Sequence, residues 1–295
     1  MVVEFIRKIK AIARRYPIVR KAYYSARVNI LRLFLTIRYW IASITGRYYF
    51  EDNCRVCPEH KDSNFLNHCK FYKFAAQFVN NKHVADIGCG TGYGCEILKN
   101  KGAVFVSGSD ISKKAIKYAR SKYNDIADFI IQGITDLKKY SDNSFDVSVC
   151  SEVIEHVKEY GKEQDAIAEI KRITKNKGLL IIGTPNSELL GDHGFYFKEI
   201  KGLFQKNFLQ FCIFENALIP TGIEQSLWSK RVASGEVGVI ISENIDFSET
   251  VLFDNSQPRI KNGLKAGIYK FAGYDVDTTL LHNTHSWVII AINDK

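Results

Sequence analysis

The stretch from His83 to Gly94 constrains this chain more than any other, and it reads H-V-A-D-I-G-C-G-T-G-Y-G. A short apolar run leads into a turn in which every second residue from Gly88 onward is glycine. Glycine leaves the backbone open to a ligand, and the N-terminus of a following helix offers free N–H groups. The spacing G-x-G-x-G also differs from the G-x-G-x-x-G of nicotinamide and flavin sites. The stretch therefore predicts a strand, a turn and a helix that hold a ligand against bare backbone.

Three later segments extend this pattern in order along the chain. They are S-G-S-D-I-S (Ser107 to Ser112), S-F-D-V-S-V-C-S-E-V-I-E-H-V (Ser144 to Val157) and G-L-L-I-I-G-T-P-N (Gly178 to Asn186). Together with V-A-D-I-G-C-G-T-G they resemble the motifs of class I methyltransferases that use S-adenosylmethionine (SAM). The resemblance covers roughly Phe71 to Phe214 and implies an enzyme with SAM as its cofactor.

Short apolar strands alternate with helical patterns, which predicts an α/β fold with a mostly parallel sheet covered by helices on both faces. We expect a Rossmann-like sheet of seven strands, and the resemblance implies that the last strand is antiparallel. The expected strands are Val84 to Ile87, Val104 to Ser109, Asp128 to Gln132, Phe145 to Cys150, Leu179 to Gly183, Phe208 to Phe214 and Trp287 to Ile292. The expected helices include Phe71 to Phe78, one capped by Ser112, Glu163 to Thr174 and Lys198 to Lys206.

The resemblance implies roles for residues at the ends of the first two strands. Gly88, Cys89 and Gly90 would cradle the methionine part of SAM with their backbone. Asp86 either orders this loop or takes the ammonium group of SAM, since a carboxylate inside a strand end needs a partner. Asp110 would accept the two ribose hydroxyls, which one carboxylate can do. Its neighbour Ile111 would pack on the adenine.

The third and fourth strands carry less typical residues. The third motif reads I-I-Q-G-I-T-D-L and lacks the usual acidic residue, so we assign the adenine contact to Gln132 and Gly133. After the fourth strand, Glu152 is expected beside the methionine part or the reactive methyl of SAM.

Glu152, Glu155 and His156 form an E-x-x-E-H group that leaves three interpretations open. His156 can act as the general base that removes a hydroxyl proton from the acceptor, which we take as the catalytic assignment. The group can instead bind a divalent metal together with His193, as in the small-RNA 2′-O-methyltransferases and ubiquinone-pathway O-methyltransferases that it resembles. Otherwise these residues only cap a helix. We assign no metal ligand.

A second group of metal-binding residue types precedes the glycine turn. Cys54-x-x-Cys57 with His60, His68 and Cys69 can form a zinc knuckle. Alternatively, V-C-P-E and H-C-K-F-Y-K-F-A resemble a segment that precedes the first strand in methyltransferases of polysaccharide and O-antigen gene clusters. The chain has seven cysteines, an odd number that favours a reducing cytosol.

The basic charge of the chain is confined to its first residues. The formal net charge is +9, and residues 1–50 hold eleven Lys or Arg and one acidic residue, so the rest is close to neutral. Residues 1–49 read as helical with a break at Pro17, and they form either a basic arm on an anionic bilayer surface or a helix docked on the next domain. We expect a cytoplasmic protein that contacts the inner membrane face through this arm.

Residues 50–295 then form the methyltransferase domain, within which residues 217–285 are an insertion that caps the acceptor pocket. The neutral charge of this domain makes nucleic acid an unlikely partner. The favoured function is O-methylation of a glycan, lipid-linked or small-molecule acceptor. The alternatives are a metal-dependent RNA 2′-O-methyltransferase and a SAM-fold protein without catalysis.

Overall fold

The computed structural model describes residues 56–59, 63–187, 193–217, 238–240, 251–254, 257–260 and 284–295. The chain divides into two units, Met1–Cys54 and Arg55–Lys295, and all described residues belong to the second. The expected arm over residues 1–49 and most of the expected insertion over residues 217–285 lie outside the described residues.

Six helices cover the described part of the chain: α1 Ser63–Ala75, α2 Tyr93–Asn100, α3 Lys113–Tyr123, α4 Ile154–Lys158, α5 Glu163–Ile173 and α6 Phe197–Asn207. A 3₁₀ turn, Ala76–Phe78, follows α1. Ser112 caps α3 as expected, because its Oγ accepts a hydrogen bond from the Ala115 N–H at 3.2 Å. None of the helices in the described ranges is long and apolar enough to cross a membrane.

Ten strands are described: β1 His83–Ile87, β2 Phe105–Asp110, β3 Asp128–Ile131, β4 Phe145–Ser151, β5 Thr174–Pro185, β6 Phe211–Ala217, β7 Gly238–Ile240, β8 Val251–Asp254, β9 Gln257–Ile260 and β10 Thr284–Ile292. The main sheet has the order β3-β2-β1-β4-β5-β10-β6-β7, and β8 pairs separately with β9. Only β10 runs antiparallel to its neighbours β5 and β6 in the main sheet. The expected seven-stranded, mostly parallel sheet is confirmed, and the three-residue β7 adds an eighth strand at its edge.

The central strands are apolar on both faces, which a sheet between two helical layers requires. Residues 286–292 of β10 are all buried. Residues 178–185 of β5, and the two residues that follow the strand, are buried as well. Parallel strands place their carboxyl ends at one edge, so the turns after β1, β2 and β4 lie side by side. Sites in open α/β sheets form at this edge.

Two boundaries differ from the sequence-based expectation. Helix α1 begins at Ser63, eight residues earlier than expected, and its polar residues Asn67 and Lys70 are buried. Strand β6 begins at Phe211 and not at Phe208. Phe208 caps the end of α6, because its N–H donates to the Phe204 carbonyl, and its ring stacks on that of Phe204.

Candidate active site

The turn after β1 has the backbone conformation that only glycine adopts easily. Gly88 has a φ of +75°, and a Cβ atom there would lie 2.2 Å from Cγ2 of Val153. Gly90 has a φ of +54°, and an added Cβ would meet no atom within 4 Å. The N–H groups of Gly88 and Cys89 donate to the carbonyl of Ser109 at 2.6 and 2.9 Å. The turn is therefore fixed to β2 while its backbone at Gly90 faces open space.

Asp110, the last residue of β2, points its carboxylate at this turn. Its Oδ2 accepts a hydrogen bond from the Gly90 N–H at 3.1 Å, and its Oδ1 accepts one from the Ser112 N–H at 2.7 Å. A carboxylate has about four acceptor positions, so further hydroxyl donors fit on the same oxygens. The next side chain, Ile111, is 72% exposed although it is aliphatic. Open backbone, a carboxylate and an uncovered apolar side chain suit the cradle, ribose and adenine contacts that the motifs imply.

Asp86 lies beneath the turn and is fully buried. The hydroxyl of Tyr72 donates to its two oxygens at 3.0 and 3.2 Å, and the thiol of Cys95 donates to Oδ2 at 3.3 Å. Loss of water on burial raises the pKa of Asp86 to about 7, and the nearby negative Asp110 adds to this. Of the two roles expected for Asp86, these contacts favour ordering of the loop.

Gln132 and Gly133 follow β3, the neighbour of β2. The Gln132 N–H donates to the Asp110 carbonyl at 3.1 Å, and an added Cβ on Gly133 would lie 3.6 Å from Cδ1 of Ile111. The side-chain Oε1 of Gln132 accepts from the Lys139 N–H at 3.2 Å, while its Nε2 is buried without a hydrogen-bond partner. The structure thus brings Ile111, Gln132 and Gly133 together.

Glu152, directly after β4, has a strained backbone. Its φ is +52°, which residues with a Cβ rarely adopt outside functional or tightly held sites. Its N–H donates to the Gly183 carbonyl of β5 at 2.8 Å. Its Oε2 lies 2.9 Å from Nε2 of His68, and the two side chains are only 21% and 11% exposed. The residue that follows Glu152 is Val153, whose side chain covers Gly88, so Glu152 lies next to the glycine turn.

Glu155 and His156 lie on α4, one turn beyond Glu152. The carboxyl of Glu155 is buried, and its Oε2 accepts from the Thr184 hydroxyl at 3.0 Å. Burial raises its pKa to about 8, so it is largely protonated near neutral pH and forms no strong ion pair with His156 Nε2, 3.9 Å from its Oε1. His156 is 42% exposed, and its ring centroid lies 5.5 Å from that of His193. The structure therefore brings the two histidines together at an accessible position.

Within the residues described, no group of three or more His, Cys, Asp or Glu side chains is arranged to hold a metal ion. Cys54 and His60 of the zinc interpretation lie outside the described residues. The thiol of Cys57 donates to Glu59 at 2.8 Å, and burial raises the pKa of this thiol to about 12.

The segment 56–59 is hydrogen-bonded to the glycine turn and to α3. The Thr91 hydroxyl donates to the Val56 carbonyl at 2.9 Å. The hydroxyl of Tyr118, on α3, donates to Glu59. These contacts hold the segment beside the glycine turn and α3.

Two contacts of this region were not expected from the sequence, in which His68 was considered only as a possible zinc ligand. His68 and Tyr72 lie one helical turn apart on α1, so their side chains share a face. His68 contacts Glu152, directly after β4, and Tyr72 contacts Asp86, which lies in the adjacent strand β1. The i, i+4 spacing of His68 and Tyr72 predicts that these two hydrogen-bond donors share a helix face. It does not predict their partners, which are distant in the sequence.

The known proteins that are similar to this chain include methyltransferases. A protein family described as a methyltransferase domain matches residues 85–182. A ubiquinone biosynthesis O-methyltransferase of Neisseria meningitidis serogroup C is 33% identical over 112 residues, covering 37% of this chain and 46% of the relative. A probable S-adenosylmethionine-dependent methyltransferase of Mycobacterium tuberculosis is 28% identical, covering 45% of this chain and 47% of the relative.

Among solved structures, a SAM-dependent methyltransferase from Archaeoglobus fulgidus has a similar fold, with a TM-score of 0.51 and 19% identity. The similarity covers 79% of this chain and 96% of that structure. The chain spans less than half the length of the two curated relatives, at 46% and 47%. The methyltransferase-domain match at residues 85–182 runs from β1 into β5.

Proposed function

We propose that residues 85–182, which match a methyltransferase-domain family, form a class I, SAM-dependent methyltransferase domain, and that the chain is an O-methyltransferase with SAM as its cofactor. The observation that carries the proposal is the edge formed by β1 and β2. There the Gly90 N–H donates to the carboxylate of Asp110, and no side chain covers the turn at Gly90. The exposed Ile111 directly follows Asp110.

We assign the cofactor contacts to residues of this edge. Gly88, Cys89 and Gly90 hold the methionine part, and Asp110 binds the ribose hydroxyls. Ile111, Gln132 and Gly133 surround the adenine. Glu152 binds the methionine end, and Asp86 supports the turn from below. When bound, SAM supplies a methyl group on a positively charged sulfur, which a nucleophilic oxygen can take.

His156 is the residue we propose as general base. Its imidazole is accessible, and a histidine can take a hydroxyl proton near neutral pH. Burial raises the pKa of the neighbouring Glu155 to about 8, so this carboxyl is largely protonated near neutral pH. The remaining contribution of the chain is to align the acceptor oxygen, which lowers the barrier without any acid or base.

The acceptor that we propose is a hydroxyl of a glycan, a lipid-linked precursor or another small molecule. The relatives named for O-methylation in ubiquinone biosynthesis support transfer to oxygen. The segment 56–59 and helix α1, which resemble those of polysaccharide-cluster enzymes, support a glycan or its lipid-linked form. The near-neutral charge of residues 51–295 disfavours RNA.

Calorimetric titration of the full chain with S-adenosylhomocysteine, the demethylated product, tests the cofactor half of this proposal. We expect saturable binding, and we expect Asp110→Asn to weaken it by about tenfold or more, since it removes a charged acceptor. Asp125→Asn, on an exposed residue beyond α3, is the matched control and should bind like the wild type. An absence of binding by the wild type would remove the transferase proposal.

Transfer of labelled methyl from SAM tests the acceptor half. We expect label in a glycan, lipid-linked or small-molecule acceptor, with activity retained in EDTA and strongly reduced by His156→Ala. Label found only in RNA and only with a divalent metal would favour the alternative function.

A further inference from the structure

Helix α1 supplies a side chain to the cofactor site that neither the motifs nor the comparisons assign. His68 and Glu152 are 84 residues apart in sequence, yet His68 Nε2 and Glu152 Oε2 are 2.9 Å apart. A carboxylate only accepts hydrogen bonds, so the hydrogen lies on Nε2 of the imidazole. Both side chains are largely shielded from water, which strengthens a hydrogen bond to a charged group.

The position of His68 is fixed by packing on either side of it. Phe65 and Tyr72 flank it on the same face of α1, and their rings lie 5.2 and 5.6 Å from the ring of Tyr93 on α2. Phe71 lies against β5, because a Cβ on Gly183 would be 2.9 Å from its ring. The imidazole is therefore presented to Glu152 by a helix that packs on both the glycine-turn helix and the sheet.

Glu152 needs such support because of its backbone. The left-handed φ of +52° is unfavourable for a residue with a Cβ, and such a conformation persists only where neighbouring contacts hold it. The Gly183 carbonyl holds the main chain of Glu152, and His68 holds the side chain. Val153, directly after Glu152, rests on Gly88 and so connects this conformation to the glycine turn.

We propose that His68 is a positioning residue for the cofactor site, which holds the Glu152 carboxylate where it receives the ammonium group of the amino-acid end of SAM. The inference rests on the proposed function and on Glu152 as a cofactor contact. It assigns to the pre-motif helix a role in binding the amino-acid part of the cofactor and none in binding the adenosine part.

Two ligands separate this role from a general structural one. S-adenosylhomocysteine carries the amino-acid part, and 5′-methylthioadenosine lacks it but keeps the adenosine. In the full chain, we expect His68→Leu to weaken S-adenosylhomocysteine by about tenfold or more in calorimetry, since a hydrogen bond to a charged group is lost. Affinity for 5′-methylthioadenosine should stay within about twofold of the wild-type value, since its contacts are elsewhere.

Conservative variants complete the test. His68→Gln keeps an N–H donor at a similar reach and should recover most of the affinity for S-adenosylhomocysteine. Glu152→Gln should reproduce the ligand selectivity of His68→Leu, and the double variant should lose little more than either single variant, because the two residues act as one unit. His83→Leu, at the opposite end of β1, is the control and should bind both ligands normally.

Three results would overturn the inference. They are an equal loss for both ligands in His68→Leu, an unchanged affinity for S-adenosylhomocysteine, and additive losses in the double variant. Should His68→Leu fail to fold, Glu152→Gln and His68→Gln still decide the matter through the same pair of ligands. A wild-type chain that binds neither ligand rejects the proposed function itself, which is a separate and recognisable outcome.

Discussion

Asp86 shows how far a single residue departs from its behaviour in water. Its carboxyl group is fully buried, and only the Tyr72 hydroxyl and the Cys95 thiol donate to it among the contacts described above. The loss of water outweighs these donors, so the pKa rises from the ordinary value of 3.8 to about 7. Asp86 therefore binds its proton more tightly in the folded chain than in the unfolded one.

The stability of the chain should reflect this proton. Because the folded pKa is raised, the contribution of Asp86 is fully present below pH 3.8 and is lost as the pH rises through about 7. We expect the free energy of unfolding to have a falling component between about pH 4 and pH 7, with a slope of up to ~1.4 kcal/mol per pH unit. Asp86→Asn should remove this component in urea titrations at several pH values.

The comparison uses slopes, since Asp86→Asn also exchanges hydrogen-bond acceptors for donors and changes the stability at every pH. Asp125→Asn, at an exposed position, is the control and should keep the wild-type slope. Identical slopes for wild type and Asp86→Asn would contradict the raised pKa.

At the scale of elements, the contact between α1 and α2 requires a glycine. An added Cβ on Gly94 would lie 2.1 Å from the ring of Tyr72, whose hydroxyl in turn reaches Asp86. The two helices can approach this closely only where one of them has no side chain. The same contact sets the face of α1 that carries His68.

Two alanine substitutions in helices should have opposite effects. Gly94→Ala should destabilise the chain by about 1–3 kcal/mol or more, because the buried tyrosine ring must move. Gly202→Ala, on α6, meets no atom within 4 Å and should stabilise it by about 0.5–1 kcal/mol, as alanine favours a helix interior. Denaturant titrations measure both, and a Gly94→Ala variant as stable as the wild type would show that α1 is not closely packed.

Elements whose local pattern agrees with their surroundings were predictable from the sequence. The strands β1, β3 and β4 were expected within about one residue of their observed ends, and Ser112 was expected as a cap. The start of α1 was not, because its first half is polar and its burial depends on partners elsewhere in the chain. The predicted start of β6 was wrong, because Phe208 and Leu209 extend the apolar pattern of the strand in the sequence. In the structure they precede the strand, and Leu209 is 87% exposed.

The candidate site divides in the same way. Gly88, Gly90 and Asp110 stand at fixed positions in local motifs, so their meeting at one edge followed from the order of parallel strands. The contacts of His68 and Tyr72 join α1 to residues after β4 and in β1, and no local pattern specifies such a pairing. These contacts depend on how α1 lies over the sheet edge, which only the packed structure shows.

For the whole molecule, charge separates the first residues from the rest. Residues 1–50 carry eleven of the 41 basic residues and one of the 32 acidic residues, so residues 51–295 hold 30 basic and 31 acidic ones. A near-neutral remainder has little attraction for an anionic surface, whereas a polybasic segment with aromatic residues has the composition of a surface-bound helix. The arginines of the arm contact anionic lipid headgroups if the arm binds a membrane, and groups of the same chain if it docks on the next domain.

Variants of the full chain in which basic residues are replaced by glutamine distinguish lipid binding from docking. Each basic residue near an anionic membrane contributes about 1 kcal/mol, so the combined substitution of Arg27, Arg32 and Arg38 by Gln should weaken sedimentation with phosphatidylglycerol vesicles by roughly 100-fold. The matched control replaces the exposed residues Lys101, Lys113 and Lys117 by Gln, which removes equal charge from the methyltransferase domain and should leave vesicle binding unchanged.

Raised salt should mimic the arm variant, because it screens the same attraction. Equal losses in both variants would place the attraction in the net charge of the chain, and unchanged binding by the arm variant would favour an arm that docks on its own protein.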